Sequence, residues 1–224
     1  MSVCYIEQSA GLGDIFFCQK IANHFISQGY EVVWPVIPEF SWISDYLITD
    51  VKFTLDRPNN FDLHIPLSSA DSRFLDKKIM EAKYALVDLD FSDWQDHFKF
   101  KRNPEKEKEL FYNVLSLNDN EEYNFINEIY GSPPHHVHMP VRVNNDLKNV
   151  KMSLLQEYSM FDWLMIIEKA KNVHLVDTSL TLILENIELK ANEKVLYSRY
   201  KHAYGKADWS QTAYMYKKDW AYSK

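Results

Sequence analysis

The sequence predicts an α/β protein of two strand-and-helix lobes that face a cleft. Three observations predict it. Residues 3–36 read as strand, glycine turn, helix and strand; residues 159–187 repeat that design; and Asn118-Asp119-Asn120 is a polar linker between the halves. With 224 residues, 46% hydrophobic and 25% charged, the chain can bury a real core, which excludes wholesale disorder.

The first strand is Val3 to Gln8, a β-prone run that ends at Ser9-Ala10-Gly11-Leu12-Gly13-Asp14. After that turn, Ile15, Phe16, Cys18, Ile21, Ala22, Phe25 and Ile26 recur at helical spacing, and Gly29 suits the left-handed position that closes a helix. Tyr30 to Val36 is the second strand, so the opening is a right-handed strand–helix–strand unit with parallel pairing. Residues 61–65 are expected as a short strand, 70–84 as a helix, 84–89 as another strand, and 102–115 as a helix with one charged and one apolar face. These give a first domain over 1–118.

The second domain spans 119–200. Residues 122–128 and 149–152 are expected as strands, and Met160, Phe161, Leu164, Ile167 and Ala170 lie on one helical stripe. Val173 to Val176 is a short strand, Asp177-Thr178-Ser179 opens a helix over 178–187, and 194–197 is a further strand. Residues 190–224 hold eight Lys or Arg against three acids, interleaved with tyrosine and tryptophan. A C-terminal helix with docked aromatics and solvated lysines is the preferred reading, and a patch for a phosphorylated ligand or anionic membrane surface is the alternative.

The formal charge of −7 argues against a protein that coats nucleic acid through a basic surface. No apolar stretch reaches the roughly 18 residues of a membrane span, and the first residues lack a basic then apolar leader, so a cytoplasmic location is expected. Cys4 and Cys18 fall on the first strand and helix and are expected as buried packing thiols.

Two loops carry candidate chemistry. Gly11-Leu12-Gly13-Asp14 lies beyond the carboxyl end of a strand, where open α/β sheets place ligands. Phe16 and Phe17 occupy the place of a third glycine and no Lys-Ser/Thr follows, so dinucleotide and NTPase fingerprints are excluded. Asp14 can cap the helix or accept a substrate hydroxyl proton. Asp177-Thr178-Ser179 is an ordinary capping sequence and also a place where hydroxyls and amides can grip a diphosphate. One such helix start in each half points to a phosphorylated ligand bound in an interdomain cleft.

The first motif, with its apolar helix and Gly29-Tyr30-Glu31-Val32, resembles the opening of GT-B glycosyltransferases of the heptosyltransferase type. Residues 159–180, ending in Val176-Asp177-Thr178-Ser179-Leu180, are similar to the donor half of such enzymes. The resemblance implies a compact GT-B fold of two Rossmann-like lobes, with a C-terminal segment, 201–224, crossing back to the first. It implies a glycosyltransferase that moves a sugar from a nucleotide-sugar donor to the hydroxyl of a glycan or glycolipid acceptor, with neither metal nor cofactor. Asp14 would be the base, Gly11, Leu12 and Gly13 the acceptor-side loop, and Gly131, Ser132, Asp177, Thr178, Ser179 and Arg199 the donor diphosphate site; Arg142 is a lesser candidate. The chain falls short of the usual GT-B length, and Leu180-Thr181-Leu182-Ile183 departs from the family's helix start.

Other constellations are weaker. His135, His136 and His138 lack a Cys or acidic partner that completes a ligand set, His174 reads as a core histidine, and Asp88-x-Asp90 as exposed acids at a strand end. A nucleotide-sugar epimerase or hydrolase, or a non-catalytic glycan- or nucleotide-binding module, fits the same architecture.

Overall fold

A computed structural model describes residues 2–223 and divides into two compact units, Met1–Lys101 and Arg102–Lys224. In the first unit, β1 (Val3–Ile6) is followed by α1 (Leu12–Phe17), α2 (Gln19–Ser27) and β2 (Glu31–Pro35). Then come β3 (Lys52–Thr54), β4 (Leu63–Ile65), α3 (Ala70–Arg73), α4 (Ile79–Ala85) and α5 (Trp94–His97). The sheet order is β3-β2-β1-β4, every pair parallel, as the opening strand–helix–strand unit demands.

Local chemistry sets the boundaries. Gly29, at φ +88°, ends α2 in a Schellman arrangement, its N–H donating to Ile26 O at 2.9 Å while Tyr30 N donates to Phe25 O at 3.1 Å. The helical faces are buried through Ile15, Phe16, Phe17, Ile21 and Ala22, and Phe17 meets Tyr84 and Trp94 at ring-centroid distances of 5.3 and 5.2 Å. Cys4 and Cys18 are free and buried, and burial pushes both thiols up to about 12, which makes them packing groups.

Two expectations in this unit need correction. The strand over 84–89 is instead the end of α4 and a turn: Val87 N and Leu89 N both wind back to Tyr84 O at 3.2 Å, and Asp88 takes φ 53°, a conformation aspartate tolerates. Asp90 then accepts from Ser92 N at 3.1 Å in a local turn, so Asp88 and Asp90 do not lie at a strand end. The helix over 70–84 is broken between Arg73 and Ile79, where Leu75 turns out to solvent.

The second unit opens with α6 (Pro104–Lys108) and a π-helical turn, Glu109–Val114. Its strands are β5 (Tyr123–Asn127), β6 (Ile129–Tyr130), β7 (Val137–His138), β8 (Lys148–Lys151), β9 (Asn172–Val176), β10 (Glu193–Tyr197) and β11 (Ala221–Tyr222). Among them lie α7 (Leu164–Lys169), α8 (Ser179–Leu184) and α9 (Arg199–Tyr204). The main sheet, β11-β10-β9-β5-β8, is parallel throughout, while β6 and β7 form an antiparallel hairpin. Near its amino ends runs an asparagine ladder: Asn172 Nδ2 donates to Asn124 Oδ1 at 2.9 Å, and Asn124 Nδ2 donates to Asn145 and Asn149 Oδ1 at 2.8 and 2.9 Å.

The boundary falls at Lys101–Arg102, not at residue 118. The charged helix belongs to the second unit because Arg102 Nη1 bonds Glu168 Oε1 at 2.7 Å and Lys106 Nζ reaches Glu157 O at 2.8 Å. The segment 201–224, expected to cross to the first lobe, stays in the second: β11 pairs with β10, and Trp220 is buried there. Glu185, just past α8, holds it by accepting from Trp220 Nε1 at 2.7 Å, Lys217 N at 2.7 Å and Lys218 N at 3.1 Å. Residues 190–224 are not one helix but β10, α9 and β11 with turns between; α9 buries no residue and Tyr204 is 78% exposed, while Trp220 docks on the unit as expected. Among the described residues no helix is long and apolar enough to cross a membrane.

Glu185→Ala strips three donors of their acceptor. It is expected to lower unfolding free energy by about 2–4 kcal/mol, read by urea denaturation, and to open residues 209–223 to limited proteolysis.

Candidate functional site

Polar groups gather beyond the carboxyl ends of the strands in each unit. In the first, the chain leaves β1 through a loop that is braced on three sides. Trp34 Nε1 donates to Gln8 O at 2.8 Å, Ile37 N to Ser9 O at 3.0 Å, and Ser68 N to Glu7 O at 3.0 Å. Gly11 is required twice over: its φ is +87°, and a Cβ there would lie 2.2 Å from Asp14 Oδ2. Leu12 is buried, and Gly13 and Asp14 remain partly open.

Asp14 is not the helix cap, which is Gly11. Its Oδ1 lies 2.9 Å from Lys83 Nζ of α4, with the Asp14 side chain 25% exposed and that of Lys83 only 5%. Lys83 also donates to Gln8 Oε1 at 2.5 Å and Leu67 O at 3.1 Å. Sequence reasoning missed Lys83. A signal was present, because Lys83 lies three residues after Met80, on the face of α4 that also carries Met80 and Tyr84 into the core.

In the second unit, Asp177 follows β9, its N–H continuing the ladder to Tyr197 O at 2.9 Å. Its buried Oδ1 accepts from Tyr216 OH, while Oδ2 has no protein hydrogen-bond partner. Burial first, then Asp177, drives the Tyr216 hydroxyl far above its ordinary range, so it stays a neutral donor. Burial opposes the charge on Arg199, but Asp177 and the tyrosines at 200 and 216 outweigh it and raise the guanidinium's value. Ser198 beside them, at the end of β10, has a buried hydroxyl with no protein partner.

Thr178 and Ser179 are half-buried at the start of α8. Thr178 Oγ1 caps Leu180 N at 3.3 Å, and Ser179 Oγ approaches Met160 Sδ at 3.8 Å. The helix is six residues long, so its terminal field is small, and Arg199, coupled to Asp177, brings a positive charge to this edge. Arg142 is exposed and lies beyond the hairpin strand β7, away from this edge cluster in sequence.

Gly131 and Ser132 form the tip of the β6–β7 hairpin. Gly131 has φ +92°, a Cβ on it would meet His135 O at 2.7 Å, and His135 N closes the turn on Ser132 O at 2.9 Å. Buried Glu128 anchors the hairpin, Oε1 accepting from Val141 N at 2.8 Å and Oε2 from His138 Nε2 and Lys151 Nζ, both at 2.9 Å. Tyr130 OH meets His202 Nδ1 of α9 at 3.0 Å, so the hairpin bearing Gly131 reaches the helix that Arg199 begins. Apolar packing of Ile126, Met139, Val141 and Val176 holds it down.

His174 is a core histidine as expected: buried, its Nδ1 3.2 Å from Tyr197 OH, its value lowered by burial. His138 serves Glu128, and His135 and His136 are exposed. Among the described residues no group of three or more His, Cys, Asp or Glu side chains converges to hold a metal ion.

No family model matches this chain, and no curated protein matches it. Solved structures do. The chain is similar to the heptosyltransferase TibC in complex with ADP-D-beta-D-heptose, with a TM-score of 0.51, 12% identity, and coverage of 88% of this chain and 58% of TibC. A second TibC structure, described as a bacterial iron-containing dodecameric glycosyltransferase from enterotoxigenic E. coli H10407, has the same identity and coverage and a TM-score of 0.49. The E. coli heptosyltransferase WaaC with ADP has a TM-score of 0.45, 12% identity, and coverage of 88% of this chain and 87% of WaaC. This chain thus spans less than two thirds of TibC's length. The likeness is one of fold: parallel α/β units like those of the Rossmann-like GT-B glycosyltransferases. Among the described residues, the His, Cys, Asp and Glu side chains do not assemble a three-ligand set that would hold an iron ion.

Burial would raise the Glu128 carboxyl, but the bonds from Lys151, Val141 and His138 outweigh it and hold it below its ordinary value. Its contribution to stability is therefore present above the ordinary carboxylate range and lost as pH falls through the lowered value. Glu128→Gln is expected to destabilise by about 1–3 kcal/mol at pH 7, with the gap to wild type closing in urea titrations as pH falls through that range.

Proposed function

We propose that the chain transfers a sugar from a nucleotide-sugar donor to an acceptor hydroxyl without a metal ion. The observation that carries this reading is Asp14, a partly open carboxylate held in a glycine turn beyond a parallel strand's carboxyl end. One of its oxygens is engaged by Lys83 and the other lies over Gly11. The similarity of fold to a heptosyltransferase holding ADP-D-beta-D-heptose supports the donor class.

In this reading the acceptor oxygen attacks the anomeric carbon and its proton passes to Asp14 Oδ2. The bond from that carbon to the diphosphate oxygen breaks, and the nucleoside diphosphate leaves with the electron pair. Gly11, Leu12 and Gly13 shape the acceptor loop. Arg199 neutralises the leaving charge, aided by the hydroxyls of Thr178 and Ser179 and the Gly131-Ser132 turn. Asp177 is a carboxylate and would repel a diphosphate directly; its part is to hold Tyr216 and supply the countercharge of Arg199. The exposed basic run Lys201–Lys206 is the surface for an anionic glycan or glycolipid acceptor, or for a membrane carrying it.

The test begins with thermal shift of the full chain against UDP, GDP, ADP and their sugars, followed by product analysis with and without acceptor. Asp14→Asn is expected to reduce transfer by roughly 10²–10⁴-fold with nucleotide binding kept. Arg199→Gln is expected to weaken nucleotide binding about 10–100-fold by calorimetry. Undiminished transfer by Asp14→Asn removes it as base. An isomerised or hydrolysed donor without acceptor identifies an epimerase or hydrolase, and binding with no turnover identifies a binding module.

A further inference from the structure

Lys83 is the one lysine whose side chain is buried among the ion pairs of the described residues, at 5% exposure. Such an ammonium is tolerated only when its protons are matched by acceptors and its charge by a countercharge. Here three protons meet three acceptors from three segments: Asp14 Oδ1 of α1, Gln8 Oε1 of the loop after β1, and Leu67 O after β4. Gln8 is itself oriented, its Nε2 donating to Ala10 O at 2.5 Å. A continuous polar chain therefore runs from Ala10 through Gln8 and Lys83 to Asp14, spanning the whole glycine turn. Cys18 is the other titratable neighbour, protonated by burial while Lys83 and Asp14 act on it with opposite sign.

We propose that Lys83 is the positioning residue for the base: by occupying Asp14 Oδ1 it sets the carboxylate plane and presents Oδ2, above Gly11, to the acceptor hydroxyl. This rests on the reading of Asp14 as base given above. A carboxylate free to rotate would spend most of its time in unproductive orientations, whereas one pinned through a buried partner is pre-organised.

The experiment uses Lys83→Met and Lys83→Arg in the full chain, with whichever UDP-, GDP- or ADP-sugar turns over. Lys83→Met is expected to lower kcat about 10–100-fold and to change donor KM by less than about threefold. Lys83→Arg, which keeps an N–H donor and a positive charge beside Asp14 Oδ1, is expected to recover at least about threefold of the kcat lost in Lys83→Met. An unchanged kcat in Lys83→Met, a donor KM that rises in step with the fall in kcat, or a Lys83→Arg no faster than Lys83→Met overturns the proposal, since a merely structural lysine would shift only the melting temperature. Should Lys83→Met fail to fold, Gln8→Met decides: a reduced kcat with donor KM unchanged supports positioning, and any other outcome overturns it.

If the wild-type chain turns over no donor, the sugar-transfer reading fails by itself. A urea cycle of Asp14→Asn, Lys83→Met and the double variant then tests the pairing. A double variant with a midpoint no lower than Lys83→Met alone supports the coupling; strictly additive losses overturn it.

Discussion

Parallel pairing is the constraint from which the rest follows. Both main sheets pair in parallel throughout, so no two neighbouring strands can be joined by a tight turn and each connection must cross over. All strand ends of one kind then emerge along a single edge of each sheet. Backbone groups and loop residues at the carboxyl edge have no further ladder to join, so that is where unsatisfied polar capacity collects. Asp14 and Gln8 in one unit, and Asp177, Ser198 and Arg199 in the other, occupy those positions.

Charges inside each unit act as ties between loops. Lys83 joins three segments of the first unit, Glu128 fastens the hairpin to β8, and Glu185 fastens the C-terminal segment to α8. In each case the buried or nearly buried group has several partners, among them backbone N–H or C=O groups that an irregular loop would otherwise leave unmet. Loops built this way hold a defined shape without regular secondary structure, which is what a site assembled from loop residues requires.

Much of this was legible in the residues themselves. Gly11 and Gly29 mark the glycine turn and the helix end because both need positive φ, and the apolar run 173–176 with its Thr178 cap announces β9 and α8. Leu86, Val87 and Leu89 misled because β-prone residues make a strand only where a neighbour offers a ladder, and here the helix end captures their amides. The partnerships of Asp14 with Lys83, Asp177 with Tyr216, and Glu185 with Trp220 escaped for another reason. Each joins residues far apart in the chain, and periodicity reports only which face a residue occupies, never its opposite number. The same limit misplaced the domain boundary, since Arg102 reveals its allegiance only through Glu168.

The asparagine ladder carries a consequence for how β8 finds its place. That strand, Lys148–Lys151, buries a single apolar side chain, Val150, so the hydrophobic pattern that ordinarily prevents strand slippage is almost silent there. A shift by one residue would turn Val150 outward, and it would also carry the Asn149 amide oxygen to the opposite face and leave the buried Asn124 amide short of an acceptor. Alignment of this edge strand is thus encoded in directional bonding between amides together with one buried valine.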